Sequence, residues 1–160
     1  MDYSSFFDYP AGEGGVRPDS FVLLAQFTSD EWAKLLAFTE TLRFEPGHDL
    51  IRAGDGERAL YLITDGTLEL LLPGREGASP LRTLDAPSVI GEMAFFDGRP
   101  RSMTVRAHTG GEARRLSRQA FEAFAVREPA LSRALLLDLA RILSLRVRLT
   151  DALLQSRLNA

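Results

Sequence analysis

The segment Ile90-Gly91-Glu92-Met93-Ala94-Phe95-Phe96-Asp97-Gly98-Arg99-Pro100-Arg101-Ser102 gathers groups whose chemistry complements a phosphorylated sugar. Gly91 opens what reads as one helical turn, where the first backbone N–H groups lack intrahelical acceptors and face an anion readily. Glu92 follows, an acceptor-only carboxylate that suits a sugar hydroxyl. After the Gly98-Arg99-Pro100 turn, Arg101 brings a planar guanidinium able to pair with two phosphate oxygens at once, and Ser102 brings a hydroxyl. A plainer account of the same residues stays open: Arg101 closes the turn as a salt bridge with Glu92, and Ser102 is an ordinary strand serine.

Catalytic chemistry is poorly represented. The two histidines, His48 and His108, lie far apart in the sequence with no carboxylate at metal-ligand spacing, and no nucleophile–base pair is visible. The absence of cysteine excludes thiol catalysis, thiolate metal sites and disulfides. A binding protein without enzymatic activity, metal or other cofactor is expected.

The elements that must position this segment are short. From Thr41 to Leu116 the pattern breaks into eight candidate strands, Leu42-Phe44, Asp49-Ile51, Ala59-Thr64, Thr67-Leu72, Leu81-Leu84, Val89-Ile90, Ser102-Ala107 and Gly111-Leu116, which imply a barrel or jelly roll. Asp65-Gly66 fits a two-residue hairpin whose central positions need positive φ, and residues 73–80 read as an exposed loop. Ahead of the strands, Thr28-Ser29-Asp30-Glu31 has the form of a capping box and predicts a helix from Ser29, with Trp32, Leu35, Leu36 and Phe38 on its apolar face. Behind them, Ser117 is a good N-cap for a helix carrying Phe121 and Phe124, and Glu128-Pro129 breaks and restarts it. The last helix can run from Pro129 to Leu158 with two apolar stripes. Leu135, Leu139, Ile142, Leu149 and Leu153 follow the spacing of a coiled-coil seam, predicting a homodimer, while Leu136, Ala140, Leu143, Val147, Leu154 and Leu158 are left to face the strands.

A chain of 160 residues suits one domain with a helical extension. Residues 1–20 read as a flexible arm because of Pro10, Gly12, Gly14, Gly15 and Pro18, yet Tyr3, Phe6, Phe7 and Tyr9 crowd its start, a hint that it docks on the domain or a partner. No apolar run reaches the roughly 20 residues that span a bilayer, and the N-terminus has no basic leader, so a cytoplasmic protein with no membrane attachment is expected. The net charge of -3 argues against a protein that coats nucleic acid. It is unevenly spread: residues 113–160 hold nine arginines against Glu122, Glu128, Asp138 and Asp151, most simply a solvated helix face.

With its Gly91-Glu92 pair, Ala94 and the Pro100-Arg101-Ser102 ending, the segment resembles the phosphate-binding cassette of the cyclic nucleotide-binding domain family. The spacing from Gly91 to Arg101 is similar to that of protein kinase A regulatory subunits, and the Arg-Ser ending with the helices beyond is similar to the catabolite activator branch. The resemblance runs from about Phe27 to the C-terminus. It implies an α+β fold, with an eight-stranded antiparallel β-roll over about 41–116, an N-terminal helix and C-terminal lid and dimerisation helices over 117–158, making residues 21–160 one domain. It implies a ligand site of Gly91, Glu92, Met93, Ala94, Arg101 and Ser102, with cAMP favoured over cGMP. It also implies a switch in which Phe95 presses on Phe121 and swings the last helix over the pocket.

At the lid the chain departs from the catabolite activator pattern, placing Arg146 and Val147 where a Thr-Ser pair contacts adenine. Arg146 is then free to stack on the base, to bond guanine, or to sit at a polar position of the dimer seam. The chain ends at Ala160 without the helix-turn-helix such a regulator uses on DNA, so no DNA binding is expected. The resulting expectation is a cyclic mononucleotide sensor that signals to a protein partner. A scaffold that lost its ligand and a cyclic di-GMP sensor are the alternatives.

Overall fold

The structure, a computed structural model, describes residue 24, residues 26–74 and residues 77–158, without the side chains of residues 149, 152–154 and 156–158. The arm of residues 1–20 lies outside the described residues. Helix α1, Ser29–Leu36, starts where the capping box places it: Glu31 N–H donates to Thr28 Oγ1 at 3.3 Å and Thr28 N–H to Glu31 Oε2 at 2.8 Å. Then come β1 Glu40–Phe44, β2 Asp49–Ile51, β3 Ala59–Asp65, β4 Thr67–Gly74, β5 Gly77–Asp85 and β6 Ser88–Ile90. A short helix α2, Glu92–Asp97, precedes β7 Thr104–Ala107 and β8 Gly111–Ser117, and helices α3 Arg118–Arg127 and α4 Pro129–Leu158 follow.

The strands form two antiparallel four-stranded sheets, ordered β1-β8-β3-β6 and β2-β7-β4-β5, so the expected eight-stranded roll is present. Between the sheets lies an apolar interior that includes Ile51, Tyr61, Ile63, Leu70, Ile90 and Val105. The outer face of the first sheet, through Leu60, Leu62, Val89 and Leu116, packs against α1, α3 and α4. Strand β3 is therefore buried on both faces, which explains why Ala59–Ile63 reads as an unbroken apolar run and not as an alternation.

Two strand expectations need correction. Asp65-Gly66 does not close a hairpin, because β3 and β4 belong to different sheets. The chain turns a corner there, and Gly66 alone takes positive φ (+94°); a Cβ on it would lie 2.8 Å from the Gly110 carbonyl oxygen. Residues 73–80 are not a simple loop either: β4 and β5 continue outward as a ladder pairing Pro73 with Ala78 and Gly74 with Gly77. Its side chains are exposed on both faces, so no alternation signals the strands, and Pro80 is accommodated on the edge strand beside a register shift at Leu70/Leu71.

The stripe expected to form the seam packs internally instead. Leu135, Leu139 and Ile142 are buried in the chain's own core, beneath the first sheet, whereas Ala140 and Val147 of the other stripe are exposed and Leu136 and Leu143 half-buried. Four-three spacing marks a helix face that packs, and the outer face of a sheet satisfies it as well as a second helix does. Leu149 and Leu153 lie among the side chains not described. Leu135→Ala should accordingly cost about 2–5 kcal/mol in urea unfolding, against roughly 0.5 kcal/mol or less for Val126→Ala at an exposed position. Ile142→Asp should unfold the chain and not simply split a dimer.

Candidate functional site

The cassette is built around an unusually close approach. Gly91 has φ +88°, and a Cβ on it would sit 2.6 Å from both the Ala59 carbonyl oxygen and Arg101 Nη1. Only glycine allows the turn and the contact together. The following helix α2 is closed at its far end by Gly98 (φ +69°) and by Arg58, whose guanidinium donates to the Phe95 carbonyl at 3.0 Å and the Phe96 carbonyl at 3.4 Å. A cation at a helix C-terminus satisfies orphan carbonyls and the helix dipole at once.

Arg101 is held at both its backbone and its side chain. Its N–H donates to the Asp55 carbonyl and its own carbonyl accepts from Gly54 N–H, each at 2.8 Å, locking it to the loop between β2 and β3. The side chain is buried, with the residue only 5% exposed; Nη1 donates to the Gly91 carbonyl at 3.0 Å and Nη2 to the Ala59 carbonyl at 2.8 Å. Its Nε finds no hydrogen-bond partner among the described residues. The nearest carboxylate is Glu57, 3.7 Å from Nη2, so the simple Glu92–Arg101 turn-closing pair is not what the structure contains.

Glu57 anchors a small polar network at this end of the roll. It accepts from Tyr61 Oη at 2.6 Å and from Arg115 Nε at 2.8 Å, and Arg115 Nη1 reaches Glu40 at 2.9 Å. Burial opposes ionisation of Glu57, but the bonds from Tyr61 and Arg115 and the charges of Arg115 and Arg101 outweigh it and hold the carboxyl below its ordinary range. Burial, reinforced by the bond to Glu57 and its charge, pushes the Tyr61 phenol up to about 12. Sequence reasoning missed Glu57, Arg58, Tyr61 and Arg115 because nothing in their spacing shows that they converge.

Glu92 is 4% exposed and pairs with Arg146 from α4, whose Nη1 donates to Glu92 Oε1 and whose Nη2 donates to the Val89 carbonyl at 2.7 Å. The structure thus brings Arg146 to the cassette. Ala94 is buried, Ser102 is exposed beside Arg101, and Met93 points outward at 53% exposure. Phe95 and Phe121 meet edge to face at 5.3 Å, with the Arg118 guanidinium over both rings. Of the apolar residues considered for a pocket lining, Ile51 lies in the roll interior with Met103 packed against it, whereas Leu62 and Val89 belong to the helix-facing core. The His48 carbonyl accepts from Ala107 N–H and the His108 N–H donates to the Thr67 carbonyl, and no group of three potential ligands for a metal ion occurs among the described residues.

The arrangement places a buried guanidinium beside the first turn of α2, where helix geometry leaves N–H groups without intrahelical acceptors, with a carboxylate one residue beyond Gly91. Residues 41–128 match the cyclic nucleotide-binding domain family. The chain belongs to that family. It is 32% identical over 100 residues to a cAMP-dependent protein kinase regulatory subunit of Emericella nidulans, an alignment covering 62% of this chain and 24% of that protein. Among solved structures, it is similar to a cyclic nucleotide-binding domain from Methylobacillus flagellatus (26% identity, 81% and 74% of the two chains, TM-score 0.75). It is also similar to the Thermus thermophilus catabolite activator protein (26% identity, 83% and 61%, TM-score 0.73). The chain thus spans about a quarter of the fungal subunit's length. No helix among the described residues is long and apolar enough to cross a membrane.

The raised phenol gives a direct check on the network. A pKa raised in the folded state stabilises the protein fully below the free phenol's value near 10, and the contribution is lost as pH rises through about 12. In an alkaline ultraviolet titration, Tyr61→Phe should remove the last-ionising component and leave the absorbance at about pH 10 unchanged. Loss of absorbance at that pH instead would mean that Tyr61 ionises like a free phenol.

Proposed function

We propose that the chain is a sensor for a cyclic mononucleotide, cAMP in the first instance, which acts in the cytoplasm without catalysis and signals to a protein partner through its helices. The observation that carries this reading is the buried guanidinium of Arg101, fixed by two carbonyls beside the first turn of α2. In the proposed complex Arg101 and the N–H groups of Glu92, Met93 and Ala94 hold the phosphate, Ser102 adds a hydroxyl donor from the exposed side, and Glu92 accepts from the ribose. The similarity to a fungal subunit named for cAMP dependence favours adenine over guanine.

Signal output is assigned to the contact of Phe95 with Phe121. Drawing α2 inward on the phosphate would shift Phe95 against α3 and so reorient α4, which is continuous in space with α3 through Phe124 and Leu131. We propose further that two copies pair along the side of α4 not used by the core, where Val147 is 59% exposed beside half-buried Leu143. Val147→Glu with Leu143→Glu should then reduce the mass in light scattering to that of one chain; a wild type already of that mass would remove the dimer.

The site itself is tested by titration calorimetry with cAMP, cGMP and cyclic di-GMP. Arg101→Ala should weaken the preferred nucleotide by about 2–5 kcal/mol, roughly 30-fold to several thousand-fold in Kd. Because that change also frees two carbonyls, Arg101→Lys is the companion variant: it keeps the charge but loses the fork, and it too should bind more weakly. Equal binding by a folded Arg101 variant overturns the cassette assignment. A wild type that binds cyclic di-GMP alone, or no nucleotide, replaces the reading with a dinucleotide sensor or a ligand-free scaffold.

A further inference from the structure

Resting on that reading of the site, we infer that Arg146 competes with the ligand's sugar hydroxyl for Glu92, and so sets how strongly the pocket recognises ribose. In the structure this carboxylate is already engaged. Arg146 Nη1 donates to Glu92 Oε1, and Nη2 donates to the Val89 carbonyl at 2.7 Å, one residue before the strand ends at Ile90. The pair is well shielded, with side-chain exposures of 22% for Arg146 and 5% for Glu92.

The competition is unequal. A hydrogen bond between a guanidinium and a carboxylate is charge-assisted at both ends, whereas a sugar hydroxyl offers the same carboxylate a single neutral donor. At this depth a carboxylate stripped of its cation is left uncompensated, so exchanging Arg146 for a hydroxyl is strongly disfavoured. The phosphate half of the site is less obstructed: Arg101 donates to two neutral carbonyls, keeps an unpartnered Nε, and meets its nearest carboxylate, Glu57, only at 3.7 Å, and Glu57 is itself bonded to Tyr61 and Arg115. The pocket therefore recognises phosphate strongly and the 2′-hydroxyl weakly for as long as α4 keeps Arg146 in place.

The test compares cAMP with 2′-deoxy-cAMP on the full chain by titration calorimetry, reading the ratio of their two dissociation constants. Taking a ratio removes the effect of Arg146's charge on the phosphate and any change in folding stability, because both ligands meet the same protein. Wild type should show a ratio within about 3-fold of one, whereas Arg146→Gln should raise it to about tenfold or more, a difference of one good hydrogen bond. Arg146→Lys, which keeps a cation near Glu92, should stay close to wild type. Binding of cAMP by Arg146→Gln but not by wild type would support the same competition in stronger form. If wild type binds and Arg146→Gln leaves the ratio unchanged, Arg146 does not compete and the nucleotide site stands without it. If neither protein binds either nucleotide, the site reading itself fails and this inference with it.

Discussion

A guanidinium cannot shed its charge inside a protein, so a buried arginine obliges the chain around it to supply acceptors. Arg101 imposes that obligation on two segments, the cassette and the stretch that leads into β3. The Gly91 carbonyl comes from the cassette, the Ala59 carbonyl from the start of β3, and the Glu57 carboxylate from the loop between β2 and β3. Its backbone adds the 54–55 turn. The stretch from 54 to 59 ends 42 residues before Arg101 in sequence, so the setting of the arginine depends on the fold and not on its local sequence alone. The absence of a side chain at Gly91 is the steric half of the same constraint. In the proposed complex, a guanidinium fixed before the ligand arrives would lose little freedom on binding, which is where preorganised sites gain affinity.

The sheet ordered β1-β8-β3-β6 couples this site to the helices because its two faces serve different clusters. Tyr61, Ile63 and Ile90 point into the roll, while the intervening Leu60, Leu62 and Val89 lie under α1, α3 and α4. One-residue alternation along β3 and β6 therefore sets roll-side and helix-side packing together. Arg58 repeats the theme at the corner of the sheet. Its carbonyl accepts from Arg118 N–H at the start of α3 while its guanidinium caps α2, so the cassette helix and the hinge helix share one residue as support.

How far the sequence discloses this arrangement depends on how local each signal is. The capping box at Thr28, the helix break at Glu128-Pro129 and seven of the strand positions rest on contiguous residues, and the structure holds them within a few residues. The cassette was legible for the same reason: its glycine, carboxylate and arginine fall within one short segment. What escaped were properties of tertiary context. A turn dipeptide such as Asp65-Gly66 cannot say that its flanking strands enter different sheets, and coiled-coil spacing at Leu135, Leu139 and Ile142 cannot say whether a helix or a sheet lies opposite. The exposed outer reach of β4 and β5 is held by backbone pairing, to which side-chain pattern is blind. Glu57, Tyr61 and Arg115 form a network only through the register that sets Tyr61 opposite Arg115.

The long helix α4 is attached in two chemically different ways, and the difference bears on how it can move. Its apolar contacts, Leu135, Leu139 and Ile142, are non-directional, and such packing tolerates small sliding shifts. Its polar contacts are directional. Asp138, fully buried, accepts from Leu24 N–H at 2.6 Å and from Arg141, and eight residues on, about 12 Å along the axis, Arg146 grips Glu92 and Val89. Any rearrangement of the helix must therefore break a polar bond before it strains the core. The two ends of such a movement also converge on one short element, since α2 carries Glu92, which faces Arg146, and Phe95, which faces Phe121. In the proposed switch, a displacement of α2 would act on α3 through an aromatic contact and on α4 through an ion pair. Helices α3 and α4 are thus both fastened to the same six-residue helix, one through a ring contact and the other through an ion pair.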